Sequence, residues 1–306
     1  MPRKQRVEYA GAMYHIISRG SYRKDLFTVG ESGAAFEKAL FETVKRCGWE
    51  LYAYVIMSNH YHLAVRTPEP NLVAGMKWLQ STFATRFNRF AGERGHVFQG
   101  RYKSILLREN QRLGGLVDYI HLNPVRARMH PVAELEKHAL SSFAKYMAGD
   151  AVGTGLRRES MLKLHGLPHT QRGMELYRNH LELLDESDPE KREKLSKRYC
   201  RGWFIGSKEA KQELAQELNQ MSQAVDWEGV DLKELNESRW EQLVKEEMAR
   251  LGKTEADLHS STKGALWKVE IAVKLRTQTP ASNPWITRRL AMGHPNYVSN
   301  LISAAQ

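Results

Sequence analysis

Residues 49–66 (WELYAYVIMSNHYHLAVR) hold two runs of β-branched and aromatic residues, joined by the turn-forming pair Ser58-Asn59. So short a connection permits one arrangement, an antiparallel hairpin, and the surrounding chain must be compatible with a sheet. Upstream, residues 14–18 (YHIIS) read as another strand, closed by Gly20. Between them, residues 33–47 place Phe36, Leu40, Phe41 and Val44 at helical spacing, and Gly48 ends that helix. Pro68 and Pro70 break the chain after the hairpin. Residues 72–90 then form an amphipathic helix, with Leu72, Met76, Leu79, Phe83 and Phe87 on one side. Residues 97–107 read as a fourth strand and 112–122 as a third helix. The order β-α-β-β-α-β with a trailing helix predicts an α+β domain of the ferredoxin-like, split βαβ kind. Its single antiparallel sheet would carry helices on one face, leaving the other face for chemistry or nucleic acid.

After about residue 130 the pattern changes. Residues 149–155 (GDAVGTG) read as a Gly-rich linker, so the expected domains are 1–148 and an all-α domain over 156–306. Within the latter, 186–198 (ESDPEKREKLSKR) is a charge run, read as a solvated helix or loop. Residues 266–305 have the pattern of a helix-turn-helix. Leu266 to Arg276 is helical, and Asn283-Pro284 caps a helix running through Met292. Gly293-His294-Pro295 turns the chain, and a second helix presents Tyr297, Ser299 and Asn300 outward.

Charge is unevenly spread along the 306 residues. The formal net charge is +11; residues 1–150 carry 22 Lys/Arg against 13 Asp/Glu, and the remainder 24 against 22. The first half is therefore the one expected to attract a polyanion. Cys47 and Cys200 are far apart and neither has a CxxC partner, which excludes a disulfide scaffold or a cysteine-rich zinc site. The basic start (MPRKQR) is not followed by an apolar stretch of the signal-peptide kind, and no apolar run approaches the ~18 residues of a membrane span. A cytoplasmic protein with no membrane partner is the expectation.

Chemistry concentrates in Asn59-His60-Tyr61-His62-Leu63. Alternate strand residues share a face, so His60 and His62 point the same way, roughly 7 Å apart at Cα, and Tyr61 points opposite. Two imidazoles so placed can converge on one divalent ion. Farther along, Tyr119 and Asn123 are four apart on the third helix and share one face, which Pro124 terminates. That pair offers a phenol for nucleophilic attack and an amide oxygen as a hard, neutral metal ligand.

His60-Tyr61-His62 resembles the His-hydrophobic-His motif of single-tyrosine HUH transposases. With Tyr119-Ile120-His121-Leu122-Asn123-Pro124 following, the chain is similar to the REP-associated tyrosine branch. The likeness covers about residues 6–145, including Ser18-Arg19-Gly20, Arg23 to Phe27, and Phe98-Gln99-Gly100-Arg101-Tyr102. Three departures stand out: Ser58 where the family often has proline, a tyrosine, Tyr61, at the hydrophobic centre of the histidine motif, and Asn123 where many mobile-element relatives carry glutamine.

The resemblance implies a metal-dependent enzyme that nicks and transfers single-stranded DNA near repetitive palindromic hairpins. His60, His62 and Asn123 would be ligands for Mg²⁺ or Mn²⁺, and Tyr119 the nucleophile, giving a 5′-phosphotyrosine without any nucleotide cofactor. Arg19, Arg23, Arg86, Arg89, Arg101 and Lys103 are candidate phosphate contacts. Of the rival groups, Tyr61 and His121 point away, and Tyr102 is a sheet residue or a stacking platform. Relatives act as monomers or homodimers. The alternative is a module that holds structured DNA or RNA without cutting it. A structural zinc protein fits poorly, because asparagine is a weak zinc ligand.

Overall fold

The computed structural model describes residues 6–108, 110–149, 154–185, 199, 200, 202, 204–221, 233–279 and 281–305. The chain divides into two compact units, one spanning Glu8–Ala210 and the other joining Lys211–Gln306 with the start of the chain up to Val7. The first unit thus extends well past residue 148. The charge run 186–198 and residues 150–153 of the Gly-rich segment lie outside the described residues.

In the first unit, β1 (Ala12–Arg19), α1 (Ser32–Cys47), β2 (Glu50–Ile56), β3 (His60–Thr67), α2 (Leu72–Ala91) and β4 (Lys103–Leu107) follow in the expected order. The strand order is β2-β3-β1-β4, each neighbouring pair antiparallel, with β3 inserted between the parallel strands β1 and β2. That is the split βαβ topology. β4 is shorter than the sequence implied; Phe98 makes only an isolated bridge to Gly20 before the strand begins. A fifth strand, β5 (Phe204–Ile205), pairs parallel to β4 and makes the sheet mixed. Residues after 156 are therefore not all helical. The open edge of β4 carried backbone donors and acceptors that this segment satisfies.

One sheet face is covered by α1 and α2. Phe36 and Phe83 pack edge to face at 5.1 Å between ring centroids, and Phe36 lies 4.5 Å from Tyr61. Gly48, at φ 65°, stops α1 in a left-handed conformation that a side chain would strain.

The second face is not free. α3 (Asn110–His121) packs across β2 and β3, and the short helix α4 (Asn123–Arg126) continues from it. α5 (Ser142–Ala148), α6 (Arg158–Leu164) and α7 (Gln171–Asp185) add to this side, with α6 against α3. The reason is visible in β2 and β3: nearly every residue of both strands is buried, so neither face could be left to water.

The Lys211–Gln306 unit is helical among the described residues. Its core joins Trp240, Val244, Met248, Leu275, Trp285, Ile286, Leu290 and Ile302. Helices Leu266–Gln278, Asn283–Arg289 and Pro295–Ala304 stand close to their expected positions. The N-cap of the second is Ser282 rather than Asn283, with Pro284 in its first turn. Among the described residues no helix is long and apolar enough to cross a membrane.

Candidate active site

β1 and β3 run side by side in a register that pairs Arg19 with His60 and Ile17 with His62. Their alternation puts His15, Arg19, His60 and His62 on the face turned to α3, and Tyr61 on the face of α1 and α2. The His60 and His62 rings lie 5.1 Å apart, nearly perpendicular. Tyr119 descends from α3 onto them, its ring 5.7 Å from that of His62 and 5.8 Å from that of His15. A hairpin and a distant helix are thereby brought to one point.

Hydrogen bonds set the tautomers. His15 Nδ1 lies 2.8 Å from the Tyr199 carbonyl, which can only accept, so Nδ1 bears the proton. Burial, with help from Lys103, holds His15 down to about 4, so near neutrality its Nε2 is bare. His62 Nδ1, 2.9 Å away, must then donate to it, and the free lone pair of His62 is on Nε2. His60 reaches the same state separately. Asn59 Nδ2 donates to the Arg23 carbonyl, which orients the amide so that Oδ1 accepts from His60 Nδ1 at 2.8 Å. Burial first, then Arg19, pulls His60 down to about 4, and burial drives His62 well below the usual imidazole range. Two neutral imidazoles with unprotonated Nε2 atoms suit a divalent ion.

Asn123 is buried one turn beyond Tyr119, where its Nδ2 donates to the Tyr119 carbonyl at 2.8 Å and to that of Ile120 at 3.3 Å. Those bonds consume the amide nitrogen and leave Oδ1 as the group available for a hard cation. The donor set of two imidazoles and an amide oxygen fits Mn²⁺ or Mg²⁺.

Around Tyr119 stand residues that the sequence did not single out. Its hydroxyl meets Cys200 Sγ at 2.9 Å, its ring lies 5.4 Å from that of Tyr199, and the Arg126 guanidinium sits 4.5 Å over its face. Gly115 on α3 admits Tyr199: a Cβ there would come within 2.4 Å of the Tyr199 hydroxyl. The segment bearing Tyr199 and Cys200 is distant in sequence, and no local pattern reveals its return. His15 was readable only once the register of β1 against β3 was known.

The basic candidates separate into two groups. Arg19 and Lys103 are on the histidine face, the latter donating to the Cys200 carbonyl at 3.1 Å, and Arg23 is exposed beside Asn59. Arg101 is exposed just before β4. Arg86 and Arg89 instead belong to α2, across the sheet, where Arg86 pairs with Glu42 of α1 at 3.0 Å. Tyr61 and His121 do face away; His121 is committed to the Tyr177 hydroxyl and Ser142 Oγ. Tyr102 is buried ahead of β4 and cannot serve as an open stacking platform. Among the described residues, the aromatic that stands wholly in solvent is Tyr22.

The family model for IS200-like transposases matches residues 8–123, from just ahead of β1 through both histidines to Asn123. The match is confined to this N-terminal region and spans less than half of the chain. Among solved structures, a REP-associated tyrosine transposase bound to a REP hairpin is 18% identical with a TM-score of 0.40, the match covering 51% of this chain and 92% of that one. A candidate transposase from Deinococcus radiodurans R1 is 20% identical with a TM-score of 0.29, over 42% of this chain and 98% of that one. No curated protein matches the chain. The family match thus ends at the last of the predicted metal ligands, and the helices from α5 onward lie beyond it.

Proposed function

We propose that this transposase domain nicks and rejoins single-stranded DNA at or near palindromic hairpins, through a covalent bond to Tyr119. The observation that carries the reading is the approach of the Tyr119 ring to His62, with both histidines presenting bare Nε2 atoms. A divalent ion, Mg²⁺ or Mn²⁺, held by His60, His62 and Asn123 would neutralise charge building on the scissile phosphate. Tyr119 Oη attacks phosphorus and forms the new P–O bond. The 3′-oxygen departs with the bonding electrons, taking up a proton, and leaves a 5′-phosphotyrosine on the enzyme. A later 3′-hydroxyl reverses the step, so no nucleotide cofactor enters.

Arg19 and Lys103, on the same face, and Arg23 and Arg101 nearby are the phosphate contacts this reading favours. Arg86 and Arg89 would serve only DNA that wraps to the other layer. The likeness of Asn59–Leu63 and Tyr119–Pro124 to REP-associated tyrosine transposases supports a hairpin substrate, and the helix-turn-helix pattern at 266–305 supports a second DNA contact. A cytoplasmic enzyme working as monomer or homodimer completes the proposal.

The test is incubation of the full chain with labelled single-stranded hairpins of the host genome and Mn²⁺. A covalent protein–DNA adduct is expected from the wild type, and none from Tyr119→Phe, which should still bind the strand. Retained binding with no adduct from the wild type would favour the rival reading, a module that holds nucleic acid without cutting it.

A further inference from the structure

Asp118 precedes the proposed nucleophile on α3, yet it is turned toward α6 and α7. Both of its oxygens meet imidazole: His165 Nε2 lies 2.9 Å from Oδ1, and His180 Nε2 lies 3.1 Å from Oδ2. The Tyr177 hydroxyl donates to Oδ1 at 2.9 Å. One ligand atom from each of Asp118, His165 and His180 lies within 4.8 Å of the others.

His165 carries the argument. Its Nδ1 is 2.9 Å from the Met161 carbonyl, which accepts only, so the proton of the neutral ring is there. Nε2 then turns a lone pair onto a carboxylate oxygen. Two lone pairs at that separation repel, and either a second ring proton or a cation between them must resolve the contact. Imidazoles that bind metal characteristically give their far N–H to a backbone carbonyl, as this one does.

We infer that Asp118, His165 and His180 form a divalent-metal site separate from the His60–His62 pair, suited to Zn²⁺ or an ion of similar softness. One carboxylate and two imidazoles make a three-ligand set that Zn²⁺ completes tetrahedrally with water. With bonds of ~2.0–2.1 Å, ligand atoms in a tetrahedral site stand about 3.3 Å apart. The two imidazole–carboxylate contacts, at 2.9 and 3.1 Å, would open by a few tenths of an ångström, and the wider separations, all within 4.8 Å, would draw in around the ion. Asp118 and His165 are largely enclosed, while the His180 side chain is 40% exposed and gives the ion its entrance. A cation here would tie the end of α6 and the middle of α7 to α3, one residue from Tyr119. It would brace the helix that aims the phenol without touching DNA.

The experiment uses metal-stripped full chain carrying His60→Ala, which removes a ligand from the other pair, titrated with Zn²⁺ by calorimetry and with Co²⁺ by visible absorption. One Zn²⁺ per chain and the intense visible bands of four-coordinate Co²⁺ are expected. Adding His180→Ala, at a partly exposed position that spares the fold, should weaken Zn²⁺ binding by at least about 100-fold, at or beyond the loss seen when only an outer-shell partner is removed. Asp118→Asn, with folding checked by circular dichroism, should do the same. A His60→Ala chain that binds no Zn²⁺, or binding unchanged by His180→Ala, would overturn the assignment and leave a hydrogen-bonded imidazolium–carboxylate network. Neither readout depends on DNA cleavage.

Discussion

His15 Nε2 stands 2.9 Å from His62 Nδ1, and the two rings stack with centroids 5.1 Å apart. Because the other nitrogen of His15 is spent on the Tyr199 carbonyl, this contact determines which nitrogen of His62 is left to bind metal. His15→Phe keeps the volume and removes the acceptor, so His62 loses its orienting partner while its own side chain is intact. Mn²⁺ affinity, read by electron paramagnetic resonance titration, is expected to fall about 10- to 100-fold, the usual effect of losing an outer-shell partner. His15→Gln, whose amide oxygen can accept from His62, should recover part of it. Unchanged Mn²⁺ binding in both variants would remove His15 from the metal-ordering relay.

The same burial gives the metal-free protein a definite pH response. His15 and His60 are held down to about 4 and His121 to about 3, chiefly by desolvation. In the unfolded chain each binds a proton near 6.5, so between roughly pH 6.5 and 4 the unfolded state carries more protons, and stability rises with pH. Their contribution is fully present above about 6.5 and is lost as pH falls through the folded values. His165 runs the other way, since Asp118 raises it against the pull of burial, and its contribution is lost as pH rises through its folded value. Three depressed groups outweigh one raised group. In EDTA the melting temperature should therefore drop steadily from pH 6.5 to pH 4, and His121→Gln should flatten part of that slope. A flat profile across this range would show that these rings are not neutral in the folded state.

The four-strand order was legible because each strand of the sheet is bounded by a strong signal: Gly20, Ser58-Asn59, Pro68 and a helix of alternating apolar face. Tyr119 and the paired histidines were legible because a two-residue period and a four-residue period each put them on a known face. What lay outside reach was long-range. Tyr199 and Cys200 come back to the site from 80 and 81 residues beyond Tyr119, and β5 pairs through backbone groups that carry no side-chain code. The covering of the second face by α3 was implicit in the doubly buried β2 and β3, but an alternation rule cannot say which later helix does the covering. The distinction between Lys103 on the histidine face and Arg86 across the sheet likewise required the packed layers.

Tyr22 is a different kind of residue. It and Arg23 hold left-handed backbone, at φ 54° and 59°, a conformation uncommon outside glycine, and its ring is fully exposed. The Arg23 carbonyl is bonded to Asn59, which also orients His60, so this exposed ring is tethered to the site rather than adrift. An aromatic presented this way can stack on a base of a single strand, worth ~1–3 kcal/mol. Tyr22→Ala is expected to lower affinity for single-stranded DNA by about 5- to 150-fold on that scale, with the melting temperature unchanged because nothing packs on the ring. Fluorescence anisotropy with a labelled oligonucleotide decides it; equal affinities for the two proteins would make Tyr22 a bystander.

In the Lys211–Gln306 unit, two adjacent arginines have opposite expected roles. Arg289 is clamped by Glu241, whose Oε1 accepts from Nη2 at 2.7 Å, and it also bonds Glu255, so its charge is spent inside the unit. Arg288 on the same helix is exposed. If helices Asn283–Arg289 and Pro295–Ala304 contact DNA, Arg288→Ala should weaken binding and reduce its dependence on salt concentration by about one counterion, with little effect on melting. Arg289→Ala should do the reverse, because it strands two carboxylates and frees the helix from its neighbours. Side-by-side melting curves and salt-dependent binding separate the two. A salt slope insensitive to Arg288→Ala would argue that this helix pair serves packing alone.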